Sequence, residues 1–186
     1  MNYSQKIQRL KDRRQGLYSR DGAYNFAEAL NGTAKLEKFQ QLAEPEAVKY
    51  AIGAMQAVDA DYTLKSYAEG NRVRDRLAEG LAAANIPAAF DYQGSVPLDV
   101  HVRGNSDVDL LVLHDGFVTV DAAAKTAYSY HDIPGKTPAE ELAGLRAECI
   151  AILERRLWGA KVDATPSNAV SLTGGSLQRA VDVIPS

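Results

Sequence analysis

Asp107 and Asp109 stand two apart in Ser106-Asp107-Val108-Asp109-Leu110-Leu111-Val112-Leu113, and Gly94-Ser95 lies a short stretch upstream. The apolar run after Asp109 reads as a buried strand. Residues two apart on a strand point to one face, so two carboxylates would project side by side. Like charges at that spacing repel unless a cation sits between them. A hard divalent cation such as Mg²⁺, with Mn²⁺ as an alternative, takes oxygen ligands and leaves room for phosphate oxygens. The glycine lets the backbone approach a ligand closely, and a serine that opens a helix would turn free N–H groups toward an anion. An Asp-x-Asp pair taken alone is more often two solvated carboxylates at a strand edge. What favours the metal site is the order of parts: strand, Gly-Ser turn, short connection, then Asp-x-Asp entering a second strand.

A third acid interrupts the apolar run Ala180-Val181-Asp182-Val183-Ile184. A lone Asp inside a buried strand is costly unless it is paired or bound to metal. The plain alternative is an edge strand with Asp182 facing water. Three carboxylates on neighbouring strands can hold two Mg²⁺ ions, an arrangement that activates an attacking hydroxyl and steadies a leaving pyrophosphate.

The elements that must position these residues give a mixed α/β (α+β) reading. Strands are expected near 88–93, 107–114, 168–172 and 178–184. The last two flank Thr173-Gly174-Gly175-Ser176 as a hairpin, and Val96 to Val102 suggests a short helical turn. Phe117-Val118-Thr119-Val120 suggests a further strand and Tyr128 to Gly135 a loop. Thr137-Pro138-Ala139-Glu140 is a capping box with proline at the first helical position, opening a helix that should run to about Trp158. A stripe of apolar residues from Val48 to Ala84 follows helical spacing after Pro45. It passes through Ser66 and Gly70, so it reads either as two helices broken near Gly70 or as one long spine. Ahead of it, Ser4 can cap a first helix, Phe26 and Leu30 suggest a second, and Thr33 can start a third through Leu42. The division is N-terminal helices over 1–45 and a core over 46–186.

The 186 residues suffice for one domain with a real core, at 46% hydrophobic and 24% charged, with net charge -3. That acidic balance argues against a nucleic-acid partner. Residues 1–20 run the other way, with Lys6, Arg9, Lys11, Arg13, Arg14 and Arg20 against Asp12. We read them as a solvated helix face, the alternative being a basic strip that meets phosphates or an acidic partner. The single cysteine, Cys149, excludes an internal disulfide and suits a buried helical thiol. The histidines His101, His114 and His131 lack zinc spacing. With no signal peptide, membrane-spanning run or lipidation motif, the chain reads as cytoplasmic without membrane association.

Gly94-Ser95, Asp107-Val108-Asp109 twelve residues after the serine, and Val181-Asp182-Val183 on a later strand together resemble the polymerase-β-type nucleotidyltransferase superfamily. The long helix before the Gly-Ser strand is most like its CD-NTase branch, the cyclic GMP–AMP synthase-like enzymes that make cyclic oligonucleotide second messengers, in bacteria for antiphage signalling. The resemblance covers about 46–186. It implies a nucleotidyltransferase palm with a small mixed sheet and a spine helix. It also implies NTP substrates, two-metal chemistry with pyrophosphate release, and a protein regulator in some members. Gly94 and Ser95 would contact the triphosphate, Asp107 and Asp109 would bind both metals, and Asp182 would complete the site where the acceptor hydroxyl is activated. Two departures stand out. Val96-Pro97-Leu98-Asp99 replaces the aromatic, arginine and Gly-Thr pair that many relatives carry after Gly-Ser. The chain also stops at Ser186, before the further sheet and helical lobe of relatives, so the palm is expected to be incomplete. Competing readings are a protein- or RNA-modifying nucleotidyltransferase and a nucleotide-binding module without turnover. Base preference, product and oligomeric state leave no mark in the sequence.

Overall fold

The computed structural model describes residues 2–14, 38–103, 106–115 and 135–186. In chain order these form helix α1 (Tyr3–Arg14), a 3-10 turn (Lys38–Gln41), α2 (Glu46–Ala54), α3 (Ala60–Ala83), β1 (Ala88–Gln93), β2 (Val108–His114), α4 (Pro138–Arg156), β3 (Ala160–Asp163), β4 (Val170–Gly174) and β5 (Val181–Pro185). The expectations for Phe26–Leu30, Thr33–Leu36, Phe117–Val120 and most of the loop from Tyr128 lie outside the described residues.

The helix ends follow from local chemistry. Thr137 caps α4 as its motif requires: its hydroxyl accepts the Glu140 N–H at 3.3 Å, and the Glu140 carboxylate accepts the Thr137 N–H at 2.7 Å. These contacts satisfy two donors that a helix start leaves orphaned. They also hold the Glu140 carboxyl below its usual range. At the other end of α3, Ala84 and Asn85 close the last turn, with Asn85 at φ 57 and Ile86 N–H bonded back to Leu81.

The apolar stripe before Pro87 is broken, but not at Gly70. The interruption falls at Met55–Asp59, between α2 and α3, and Gly70 lies buried inside α3. Its missing side chain serves packing. A Cβ there would come within 2.6 Å of the Tyr92 ring and 2.9 Å of Val108. The glycine lets α3 lie close against β1 and β2, and Tyr92 adds a hydrogen bond from its hydroxyl to Asn71 at 2.9 Å.

The five strands make one mixed sheet in the order β1-β2-β5-β4-β3. All neighbouring pairs are antiparallel except β2 and β5, which run parallel. The strand period of two sorts the side chains. Val108, Leu110, Val112, Val170, Leu172, Val181 and Val183 are buried, and together with Val73, Leu77 and Leu81 of α3 and Leu145, Cys149, Ile152 and Leu153 of α4 they form the core. Both helices therefore cover one face. Cys149 sits within that core, where burial pushes its thiol up to about 12, and it is inert as a nucleophile. On α1, Lys11 pairs with Glu46 of α2, and the Arg14 guanidinium lies 5.1 Å over the Phe39 ring. The basic strip is thus partly spent on contacts within the N-terminal helices. No helix among the described residues is long and apolar enough to cross a membrane.

Candidate active site

The alternation that buries Val108 and Leu110 turns Asp109 to the opposite face, and the same rule in β5 turns Asp182 there between Val181 and Val183. The two strands are parallel neighbours, with Asp109 and Asp182 as Cα partners. Adjacent strands lie about 4.8 Å apart, so two half-buried carboxylates separated by 73 positions in the chain stand side by side. β5 is central in the sheet rather than an edge strand, which removes the reading of Asp182 as an acid on a free edge. Asp107 is half-buried and lies one residue before β2, two positions ahead of Asp109.

Gly94 follows the last residue of β1, whose Gln93 is the Cα partner of Asp109. It has φ +80, and a Cβ at this position would overlap Oδ2 of Asp109 and lie 3.1 Å from its Cγ. The glycine therefore serves the acid directly, by letting the Asp109 carboxylate rest against the backbone. The next residues depart from expectation. Residues 94–99 form successive turns rather than a helix start, closed by Asp99 N–H to Val96 O at 3.1 Å and Val100 N–H to Ser95 O at 3.0 Å. Val96 is buried and Pro97 supplies no N–H, so the segment folds over an anchored valine instead of winding. Ser95 is therefore not at a helix N-terminus, and no helix dipole adds to whatever it binds. The lead-in to the acids is held by Ser106, whose Oγ accepts the Val102 N–H at 2.8 Å and whose own N–H reaches Val102 O at 3.0 Å.

The sheet also places residues that sequence reasoning missed. Ser171 of β4 is the Cα partner of Asp182 and of Asp163 in β3, so one row across the sheet reads Gln93, Asp109, Asp182, Ser171, Asp163. Alternation in the hairpin could have found Ser171. A second group could not have been found that way. The ring of Tyr62, in the first turn of α3, stacks near His101 with centroids 6.1 Å apart, and Arg179 lies 3.8 Å over the same ring. His101 is only 3% exposed, with Nε2 3.2 Å from the Thr63 hydroxyl and no partner for Nδ1. Burial lowers its pKa; Asp99 pulls the other way and Arg179 adds to the depression. The folded state thus favours neutral His101, while the unfolded chain takes up a proton near the ordinary value of 6.5. Stability contributed here is present above that pH and is lost as the pH falls below it. Denaturant titrations at pH 7 and pH 5 should show a loss for the native sequence that is smaller in His101→Gln. Equal losses in both would place the acid sensitivity elsewhere.

Among the described residues, no three His, Cys, Asp or Glu side chains close on a point able to hold an ion. The donor chemistry still fits a hard divalent cation. The set is all oxygen, two of the carboxylates are neighbours across a strand pair and a third is two residues away, a like-charge arrangement that a cation relieves.

The cyclic dinucleotide synthase CdnE of Yersinia aleksiciae is 41% identical over 140 residues, covering 75% of this chain and 35% of that protein. The chain is related to the CdnE-type cyclic dinucleotide synthases. A c-di-GMP synthase of Lachnospiraceae bacterium (strain RUG226) is 27% identical over 192 aligned residues, 94% of this chain and 54% of its own length. The solved structure of the STING-associated CdnE c-di-GMP synthase from Capnocytophaga granulosa shares the fold at TM-score 0.56 and 24% identity, covering 98% of this chain and 49% of that one. The chain thus spans about a third to a half of the length of these relatives. No family model matches it.

Proposed function

We propose that the chain carries the nucleotidyl-transfer centre of a cyclic oligonucleotide synthase, with residues 46–186 as its core and 1–45 as leading helices. The observation that carries the reading is the in-register pairing of Asp109 with Asp182, beside a glycine that leaves room for the Asp109 carboxylate. In this reading Asp107, Asp109 and Asp182 hold two Mg²⁺ ions, with Mn²⁺ as a substitute. Bound metal would neutralise the triphosphate and polarise the reacting phosphorus.

The chain's own residues do the rest. Asp182, beside the acceptor hydroxyl, favours loss of its proton. The hydroxyl oxygen bonds to the α-phosphorus as the bond to the bridging oxygen breaks and pyrophosphate leaves. The Gly94 backbone and the Ser95 hydroxyl steady the triphosphate, so that positioning and electrostatics lower the barrier together. The substrates are nucleoside triphosphates. Because relatives are named c-di-GMP synthases, GTP is the first to try, and a signalling product would place the protein in antiphage defence.

The test is incubation of the protein with Mg²⁺ and each radiolabelled NTP, alone and in pairs, with separation of products and measurement of pyrophosphate. A cyclic product is expected. NTP binding by calorimetry without pyrophosphate release would replace the enzyme with a nucleotide-binding module, and label transferred to protein or RNA would favour the other transferases. Ser95→Ala removes one hydrogen bond to a charged group while keeping the backbone donors. It should weaken NTP binding about ten- to a hundredfold. Unchanged affinity would withdraw the phosphate role from Ser95.

A further inference from the structure

The connection between β4 and β5 leaves β4 through Gly174 and Gly175, both at positive φ, and carries Arg179 two residues before β5 starts at Val181 and three before Asp182. Glycine takes that conformation without strain, and at Gly175 it also leaves room for the Gly159–Ala160 backbone, which a Cβ would meet at 2.7 Å. The pairing that puts Asp182 beside Asp109 is short, five residues from Val108↔Val181 to Val112↔Pro185, and a slip of one residue would turn Asp182 to the buried face. Leu177 is buried in the core and the Val108 N–H bonds to Ala180 O at 3.1 Å, and two arginine contacts with α3 add to this hold on the entry to β5.

The first is Arg72, which donates to Ser176 O at 3.0 Å and to Ser176 Oγ at 2.5 Å. It is itself steadied by Glu69, a buried acid on the same helix, at 2.9 Å. The second is Arg179 over the Tyr62 ring. The Nε of Arg179 is buried without a hydrogen-bond partner, and one terminal nitrogen makes a 3.4 Å contact to the carbonyl of the adjacent Gln178. The attraction of its cation to the ring is therefore the main contact that ties it to α3. His101 stacks near the same ring, so the segment leading from the Gly94-Ser95 turn to Asp107 meets the β5 entry at Tyr62.

We propose that Arg179 is a positioning residue, clamped on Tyr62 so that the spacing of Asp182 from Asp109 and Asp107 is fixed before a divalent cation binds. This rests on the metal-binding reading of the three acids. A positioned acid set binds a cation without first being ordered, so loosening the clamp should weaken metal binding more than it weakens the fold.

The experiment reads Mn²⁺ binding alone, by electron paramagnetic resonance of the free ion, with thermal midpoints measured beside it. Arg179→Met keeps the apolar stem and removes the cation; it should raise the Mn²⁺ dissociation constant about three- to tenfold. Arg179→Lys keeps a cation for the ring and Tyr62→Phe keeps the ring, so both should stay within about twofold of the native protein. Tyr62→Leu, which also frees Arg103 from its place 5.3 Å over the same ring, should weaken binding at least as much as Arg179→Met. If Arg179→Met and Arg179→Lys weaken binding equally, or neither does while Asp182→Asn does, the clamp is overturned. If Asp182→Asn leaves Mn²⁺ binding unchanged, the metal reading falls and the clamp falls with it. Should Arg179→Met not fold, the Tyr62→Phe and Tyr62→Leu pair decides by the same criterion.

Discussion

Asp107→Asn combined with Asp109→Asn is expected to abolish nucleotidyl transfer and to leave the fold standing. Both positions lie at the start of β2, on or next to the face away from the core, so neither change removes buried apolar contact. Each substitution keeps the side-chain size and removes a negative charge, at Asp109 directly across from Asp182 and at Asp107 two residues earlier in the chain. Without Mg²⁺ the double variant should therefore be as thermally stable as the native protein or more so, because a like-charge repulsion has gone. With Mg²⁺ the native protein should gain stability by binding the ion, whereas the variant should not. Turnover should fall by at least about a thousandfold, the scale on which essential electrostatic groups act. Thermal melts with and without Mg²⁺, beside pyrophosphate release, measure both halves. Unfolding of the variant would make the acids structural, and surviving turnover would move the chemistry elsewhere.

Gly94→Val should be nearly as severe by a different route. At φ +80 a β-branched residue is strained, at a cost of about 1–3 kcal/mol. Its Cβ would also take the space of the Asp109 carboxylate. The acid must rotate away from Asp182 or the end of β1 must lift from β2. Either way the carboxylate leaves its place, and activity should drop about 10²- to 10³-fold with only a moderate fall in thermal midpoint. Gly94→Ala has the same overlap with less bulk beyond Cβ, and should fall between Gly94→Val and the native protein. Native-like turnover in Gly94→Val would mean that Asp109 does not need its present position. The two variants differ in a useful way: the double Asn change should remove metal-induced stabilisation with no loss of fold, whereas Gly94→Val should reduce both.

Much of this was legible in the sequence, for reasons that can be named. The period of two and the cost of a lone acid in an apolar run located Asp109 and Asp182, and the capping box located the start of α4. The hairpin of β4 and β5 was visible in its Gly-Gly turn. Other features had no local signal. β3 is four residues long, Ala160-Lys161-Val162-Asp163, with one strongly apolar member, and its strand state depends on pairing with β4. Gly70 looked like a helix breaker because composition does not reveal a ring packed against it. The break at Met55–Asp59 contains neither glycine nor proline. The helical turn expected after Ser95 was replaced by turns because Val96 finds a place in the core. The Tyr62, His101 and Arg179 group joins residues up to 117 positions apart, and only the folded chain brings them together.

The parallel pairing of β2 with β5 decides when the acidic pair comes into being. Antiparallel neighbours can close through a tight turn, but parallel ones need a crossover. Here the crossover includes α4, β3 and β4, so Asp109 and Asp182 meet only after a long loop has been closed at an entropic cost that local contacts cannot offset. The folding nucleus is then expected to form in the α3–β1–β2 and β4–β5 neighbourhoods first, with the acid pair among the last contacts made. Its mutual repulsion opposes that final docking. A divalent cation present during refolding would act on this late step, so Mg²⁺ should slow unfolding more than it speeds folding.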